Sequence, residues 1–220
     1  MRQDVFEEIE RYMLSCMTDA AHDPQHIYRV LYHSLDIAQD YPVDVVVLIA
    51  AALLHDIGRD AQYSDPEADH AAVGAAMAYR FLKDLGWSAA MAGHVQECIA
   101  SHRFRGDARP STWEARILFD ADKLDVAGAM GIARTLAYQG IVAVPLYQVG
   151  DDGTVLDGLD APGAGETEHT FFGEYEYKLK GLYGIFHTDR AASIAGARRQ
   201  AAVDFYESLR REGAPPTRRV

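Results

Sequence analysis

Cysteine is scarce: Cys16 and Cys98 are the two in 220 residues, too few for a dense disulfide framework, and this fits a reducing compartment. Cys98 sits within a helical pattern, as a small core residue would. The apolar run Val45 to Leu54 has ten residues, short of the ~20 that a helix needs to cross a bilayer. The first residues, Met1-Arg2-Gln3-Asp4-Val5, carry no apolar signal-peptide core, so a soluble, cytoplasmic protein is expected. Positive charge is also in short supply, with 21 Lys and Arg against 33 Asp and Glu, a net charge of −12 and a pI near 5.1. That balance argues against nucleic-acid polymers and anionic membranes as partners, because both call for a basic face. Small anions stay open, since one metal and a few local cations reverse the field inside a pocket. With no repeat, no low-complexity tract and no break in composition, one domain is expected, as a monomer or a homodimer.

What the chain does have is an apolar run that ends in two metal-binding side chains: Val45-Val46-Val47-Leu48-Ile49-Ala50-Ala51-Ala52-Leu53-Leu54-His55-Asp56-Ile57-Gly58. Its composition predicts a helix buried on all sides, from about Val43 to Gly58, so its end lies inside the molecule. A bare imidazole and carboxylate are costly to bury there. Either a cation compensates them or a His–Asp hydrogen bond caps the helix. A further His and a further carboxylate favour the cation, because adjacent residues do not complete a coordination shell by themselves. The chain supplies His26, ahead of the amphipathic pattern Ile27, Val30, Leu31 and Ile37, and Asp122, within Asp120-Ala121-Asp122-Lys123-Leu124-Asp125.

Helical patterns account for most of the remaining chain. Asp23-Pro24 reads as a helix start carrying His26 in its first turn, and Ser111-Thr112-Trp113-Glu114 as a capping box opening the helix of Asp122. Residues 61–68 read as a loop, and Asp120 as the partner of Arg116 one turn back. A helix over Asp69 to Leu85 turns His70 inward, and one from Ser88 to about His102 places His102 on its apolar stripe. The long Gly-rich stretch 141–170 is expected to be a lid or a flexible segment. C-terminal helices follow over 171–212, the last capped by Thr188.

On the residues His26, His55-Asp56 and Asp122, the last in the form Ala-Asp-Lys-Leu, the sequence resembles the HD-domain superfamily of metal-dependent phosphohydrolases, with its H…HD…D pattern. The resemblance covers about residues 20–140. It implies an all-α helical domain with a metal site at the centre of the bundle, held by His26, His55, Asp56 and Asp122. The implied activity is hydrolysis of a phosphate ester or phosphoanhydride of a small phosphorylated molecule. Asp120-Ala121-Asp122-Lys123-Leu124-Asp125 followed by Gly128-Ala129-Met130-Gly131-Ile132-Ala133-Arg134 looks most like the nucleotide pyrophosphohydrolases, which makes a nucleotide the leading substrate. Some members hold a second metal through intervening histidines, for which His70 and His102 stand in the right order and His94 is a substitute. That longer pattern is also the one of the diiron oxygenases related to myo-inositol oxygenase. Otherwise His70 caps or packs, and His102 meets a phosphate or a carboxylate. A metal-retaining, non-catalytic binding domain is the third reading.

The mixed nitrogen and oxygen set suits one divalent ion, with a second possible: Mn, Fe, Co, Ni or Mg, and Zn by its donors. Such an ion acidifies water and polarises a phosphoryl oxygen. Charge developing there needs cations, for which Lys123 is the first choice and Arg59 stands behind it; Arg59 alternatively pairs with Asp56 or Asp60. Asp125 is expected to orient an imidazole or a water. Lys178, and Arg103 in the arginine-bearing stretch 103–110, are the expected substrate contacts.

Overall fold

A computed structural model describes residues 1–17, 24–64, 69–103, 109–141, 143–150, 154–156 and 170–213. The expected cap Asp23, the loop residues 65–68, Arg105 and most of the segment 141–170 lie outside them. The chain forms two compact units, one of residues 1–125 with 187–191, the other of 126–186 with 192–220.

The first unit contains α1 (Gln3–Ser15), α2 (Pro24–Ile37), α3 (Val45–Leu54), α4 (Arg59–Ser64), α5 (His70–Asp84), α6 (Ala89–Ala100) and α7 (Trp113–Leu124). Helix α3 is central, touching α1, α2, α5, α6 and α7, and Val47, Leu48 and Ala50 through Leu54 are all buried. With neighbours around it the helix has no polar face to present, which is why its sequence is apolar throughout. Asp44 starts it, its Oδ1 accepting from the amides of Val46 at 2.9 Å and Val47 at 3.2 Å.

The helix stops four residues earlier than its composition suggests. After Leu54 the chain makes a tight turn over His55–Gly58 and re-enters helix as α4, so residues 61–64 are helical where a loop was expected. The turn has a purpose. Neighbours on a continuing helix diverge by about 100°, whereas the turn lets His55 and Asp56 serve one centre.

Two further local readings change. The cap of α7 is Thr112, whose hydroxyl accepts from Ala115 N, while Ser111 donates to Glu97 Oε1 at 2.5 Å. Glu114 does not close a capping box; its Oε1 accepts from Asp44 N at 2.6 Å and its Oε2 lies 3.3 Å from His94 Nε2. It thus ties the start of α7 to the start of α3. Asp120 is fully buried and takes Thr188 Oγ1 at 2.6 Å with the amides of Thr188 and His187, not Arg116, which lies over the Trp113 ring. Three donors compensate the buried carboxylate more fully than a single arginine would.

The second unit holds α8 (Gly128–Ile141), a two-residue antiparallel pair β1 (Gln148–Val149) and β2 (Val155–Leu156), α9 (Phe171–Glu174), a π-helical turn (Tyr175–Leu179) and residues 192–213 of α10 (Asp189–Gly213). Ile132, Phe171, Phe172, Tyr175, Leu179, Ala202 and Tyr206 form its core. Tyr175 and Tyr206 stack with centroids 3.9 Å apart. Residues 189–191, the first turn of α10, are capped by Thr188, which accepts from Ala191 N as the sequence suggests. Among the described residues, no helix is long and apolar enough to cross a membrane.

Candidate metal centre

Three elements of the first unit converge. The first turn of α2 supplies His26, the turn after α3 supplies His55 and Asp56, α7 supplies Asp122 and its C-cap Asp125. Imidazole Nε2 atoms of His26 and His55 stand 3.3 Å apart, and Asp56 Oδ2 lies 3.5 Å from the first and 3.7 Å from the second. Asp122 Oδ1 adjoins through His26, 3.5 Å from the same Nε2. All four residues are buried.

The tautomers follow from the outer partners. His55 Nδ1 must donate to Ala52 O at 2.9 Å, and His26 Nδ1 donates to Asp125 Oδ2 at 2.8 Å. Both Nε2 atoms therefore turn lone pairs toward one point, as metal-binding imidazoles do when a carbonyl or carboxylate holds the other nitrogen. Facing lone pairs repel, and Asp56 Oδ2 has no hydrogen-bond partner among the described residues. A cation between them resolves both problems. Separations of 3.3–3.7 Å are what ligand bonds of about 2.1 Å subtend at angles somewhat above a right angle.

A second group shares Asp56. Its Oδ1 lies 3.6 Å from His102 Nε2 and 4.0 Å from His70 Nε2, and Asp56, His70 and His102 are mutually close enough for their ligand atoms to hold an ion. His102 lies just past the end of α6, not on it, with Nδ1 donating to Ile99 O at 2.6 Å. His94 is outside the site, between Glu114 and Thr112.

Each cation assigned from sequence is paired with an acid, two of them with acids of the centre. Lys123 is buried and donates to Asp122 Oδ2 at 2.5 Å, leaving Oδ1 toward His26. Arg59 Nε donates to Asp56 Oδ1 at 2.9 Å, and Arg103 Nη1 pairs with Asp69 at 3.3 Å. Lys178 lies in the second unit and pairs with Glu174 at 3.1 Å. Sequence reasoning missed Arg29, which clasps Asp125 through Nε at 2.6 Å and Nη2 at 3.0 Å. Its spacing from His26, three residues on the same helix, was the available signal.

Burial alone raises both ligand carboxyls, but Arg59 beside Asp56 and Lys123 beside Asp122 outweigh it and hold them below the usual carboxylate range. Burial also pushes His55 down to about 4 and His70 down to about 3, from 6.5. At neutral pH these two rings are thus neutral, the form that binds metal.

A stability prediction follows from those two rings. In the unfolded chain they protonate near 6.5, and in the fold only through about 4 and 3. Their contribution is complete above the unfolded value and is lost as the pH falls through the folded values. Chelator-treated protein should show a Tm that declines steadily as the pH falls from 6.5 to about 5, above most of the range in which carboxylates protonate. A Tm flat across that interval would contradict the assignment.

Residues 25–127 match the HD domain family. The chain carries an HD domain. Over 212 residues it is 26% identical to the uncharacterized protein YpgQ of Bacillus subtilis (strain 168), covering 94% of this chain and 92% of that one. The crystal structure of YpgQ in complex with ADP is similar in fold, with a TM-score of 0.69 at 24% identity, over 94% of this chain and 97% of that chain. A predicted HD superfamily hydrolase from an uncultured Thermotogales bacterium matches with a TM-score of 0.61 at 28% identity, over 94% and 91% of the two chains. The all-α architecture and the central His and Asp cluster are those of the HD domain.

Proposed function

We propose that this HD-domain protein is a metal-dependent phosphohydrolase that cleaves a phosphate ester or phosphoanhydride of a nucleotide. The observation that carries the reading is the meeting of His26 Nε2, His55 Nε2 and Asp56 Oδ2, with Asp122 beside them, around a point where no protein donor reaches Asp56 Oδ2 among the described residues. When bound there, a divalent ion supplies Lewis acidity toward a phosphoryl oxygen and lowers the pKa of water. The residues do the rest. Asp125, gripped by Arg29, holds the His26 tautomer, and Ala52 O holds that of His55. Lys123 occupies one oxygen of Asp122, fixing the other toward the centre and keeping a buried positive charge beside the site of developing negative charge. Arg103, in the same unit as the centre, is the cation we assign to the phosphate of the substrate. The nucleotide class is supported by the ADP complex of YpgQ.

The test is a panel of nucleoside mono-, di- and triphosphates incubated with the Mn2+-loaded protein and scored separately for orthophosphate and pyrophosphate. Release from at least one nucleotide, abolished in His55→Ala, is the expected result; no release from any member overturns the reading. The group Asp56–His70–His102 favours a second reading, a diiron oxygenase, whose signature is oxygen uptake by the iron-loaded protein.

A further inference from the structure

The group Asp56–His70–His102 resembles a second metal site, yet the oxygen it would offer is already taken. Asp56 Oδ1 is the acceptor of Arg59 Nε at 2.9 Å, the shortest contact to that oxygen, with His102 Nε2 and His70 Nε2 at 3.6 Å and 4.0 Å. The two carboxylate oxygens are thus divided, Oδ2 toward His26 and His55 and Oδ1 toward the guanidinium. The histidines differ as well. His26, His55 and His102 each have Nδ1 bound to a carboxylate or carbonyl, whereas neither ring nitrogen of His70 has a hydrogen-bond partner among the described residues. Without that outer partner the His70 ring is less firmly oriented than the other three.

Resting on the metal-dependent reading above, we propose that Arg59 is the second cation of this centre: its guanidinium fills the position of a second metal ion on Asp56 Oδ1, so the chain takes a single ion, and removing Arg59 opens a second site on Asp56, His70 and His102. A guanidinium brings one charge and fixed donors in place of a divalent ion, and it is always protonated. Arg59 lies three residues after Asp56, so the pairing is local, and its side chain is about 30% exposed, which leaves space outward once it is shortened.

The experiment is Mn2+ stoichiometry by titration calorimetry on metal-stripped protein, with low-temperature electron paramagnetic resonance to separate isolated from exchange-coupled ions. Wild type should bind one ion per chain with an isolated-ion spectrum. Arg59→Gln and Arg59→Leu should bind two and give a coupled spectrum, reverting to one when His102→Ala is added. One ion in both variants, or two in the wild type, overturns the proposal. No ion in the wild type sinks the metal-dependent reading itself. Should the Arg59 variants fail to fold, His102→Ala alone decides: unchanged stoichiometry and affinity support Arg59 as the occupant, and loss of the ion overturns it.

Discussion

Asp56→Asn should empty the metal centre and stop turnover together. This carboxylate lies beside all four imidazoles of the site and also holds Arg59. It lies 3.5 Å from His26 Nε2, 3.7 Å from His55 Nε2 and 3.6 Å from His102 Nε2, and it holds Arg59 at 2.9 Å. The amide keeps the volume and removes the charge, so cavity formation does not enter. It presents a weaker ligand on one side, and toward Arg59 it can offer at best a neutral acceptor. Since losing an outer partner of a ligand costs metal affinity about 10–100-fold, losing the ligand itself should exceed about 100-fold. Asp122→Asn should do less, because Asp122 adjoins the centre through His26 and half of its carboxylate is spent on Lys123. Metal content after dialysis and nucleotide turnover, measured on both variants, give the order. Equal retention of metal in the two would remove Asp56 from the centre.

Much of the centre was legible because its signals are local. The apolar run from Val45 to Leu54 cannot lead into His55-Asp56 without compensation, and that physical demand, not the dipeptide itself, pointed to a cation. His26 and Asp122 were found as the complement, and the fold brings them to that place. What stayed hidden depends on chain reversals that no periodicity records. Asp120 finds its donors at His187 and Thr188, 67 and 68 residues away, so the local guess of Arg116 was the only one the sequence offered. The cap of α7 moved by one residue because Glu114 is needed at Asp44 and His94, a long-range use that overrides the local box. Arg59 shows a different limit. The sequence left it between a phosphate and Asp56, and geometry puts it on Asp56.

Gly58→Ala should be the most damaging change that touches no ligand. A β-carbon at this position would run into the carbonyl oxygen of His70 and come within 2.5 Å of Gly74 N and 2.9 Å of Gly74 Cα. Those atoms are backbone of α5, so no side chain can swing aside; the turn carrying Asp56 or the helix carrying His70 must move. Overpacking of this kind costs roughly 3 kcal/mol or more, and a domain of this size then melts about 10 °C lower. The facing residue gives a graded comparison: Gly74→Ala meets Gly58 N at 3.1 Å and its next neighbours at 3.5 and 3.6 Å, a smaller intrusion with a smaller loss. Gly93, within α6, has nothing within 4 Å of a built β-carbon, so Gly93→Ala should raise stability by about 0.5–1 kcal/mol, as alanine does in a helix interior. Thermal unfolding of the three variants tests the order. A Gly58→Ala protein with the wild-type Tm would mean that the turn and α5 do not meet backbone to backbone. If they do meet, the glycine after the His–Asp pair is there for contact with α5, and the same contact sets where His70 stands relative to Asp56.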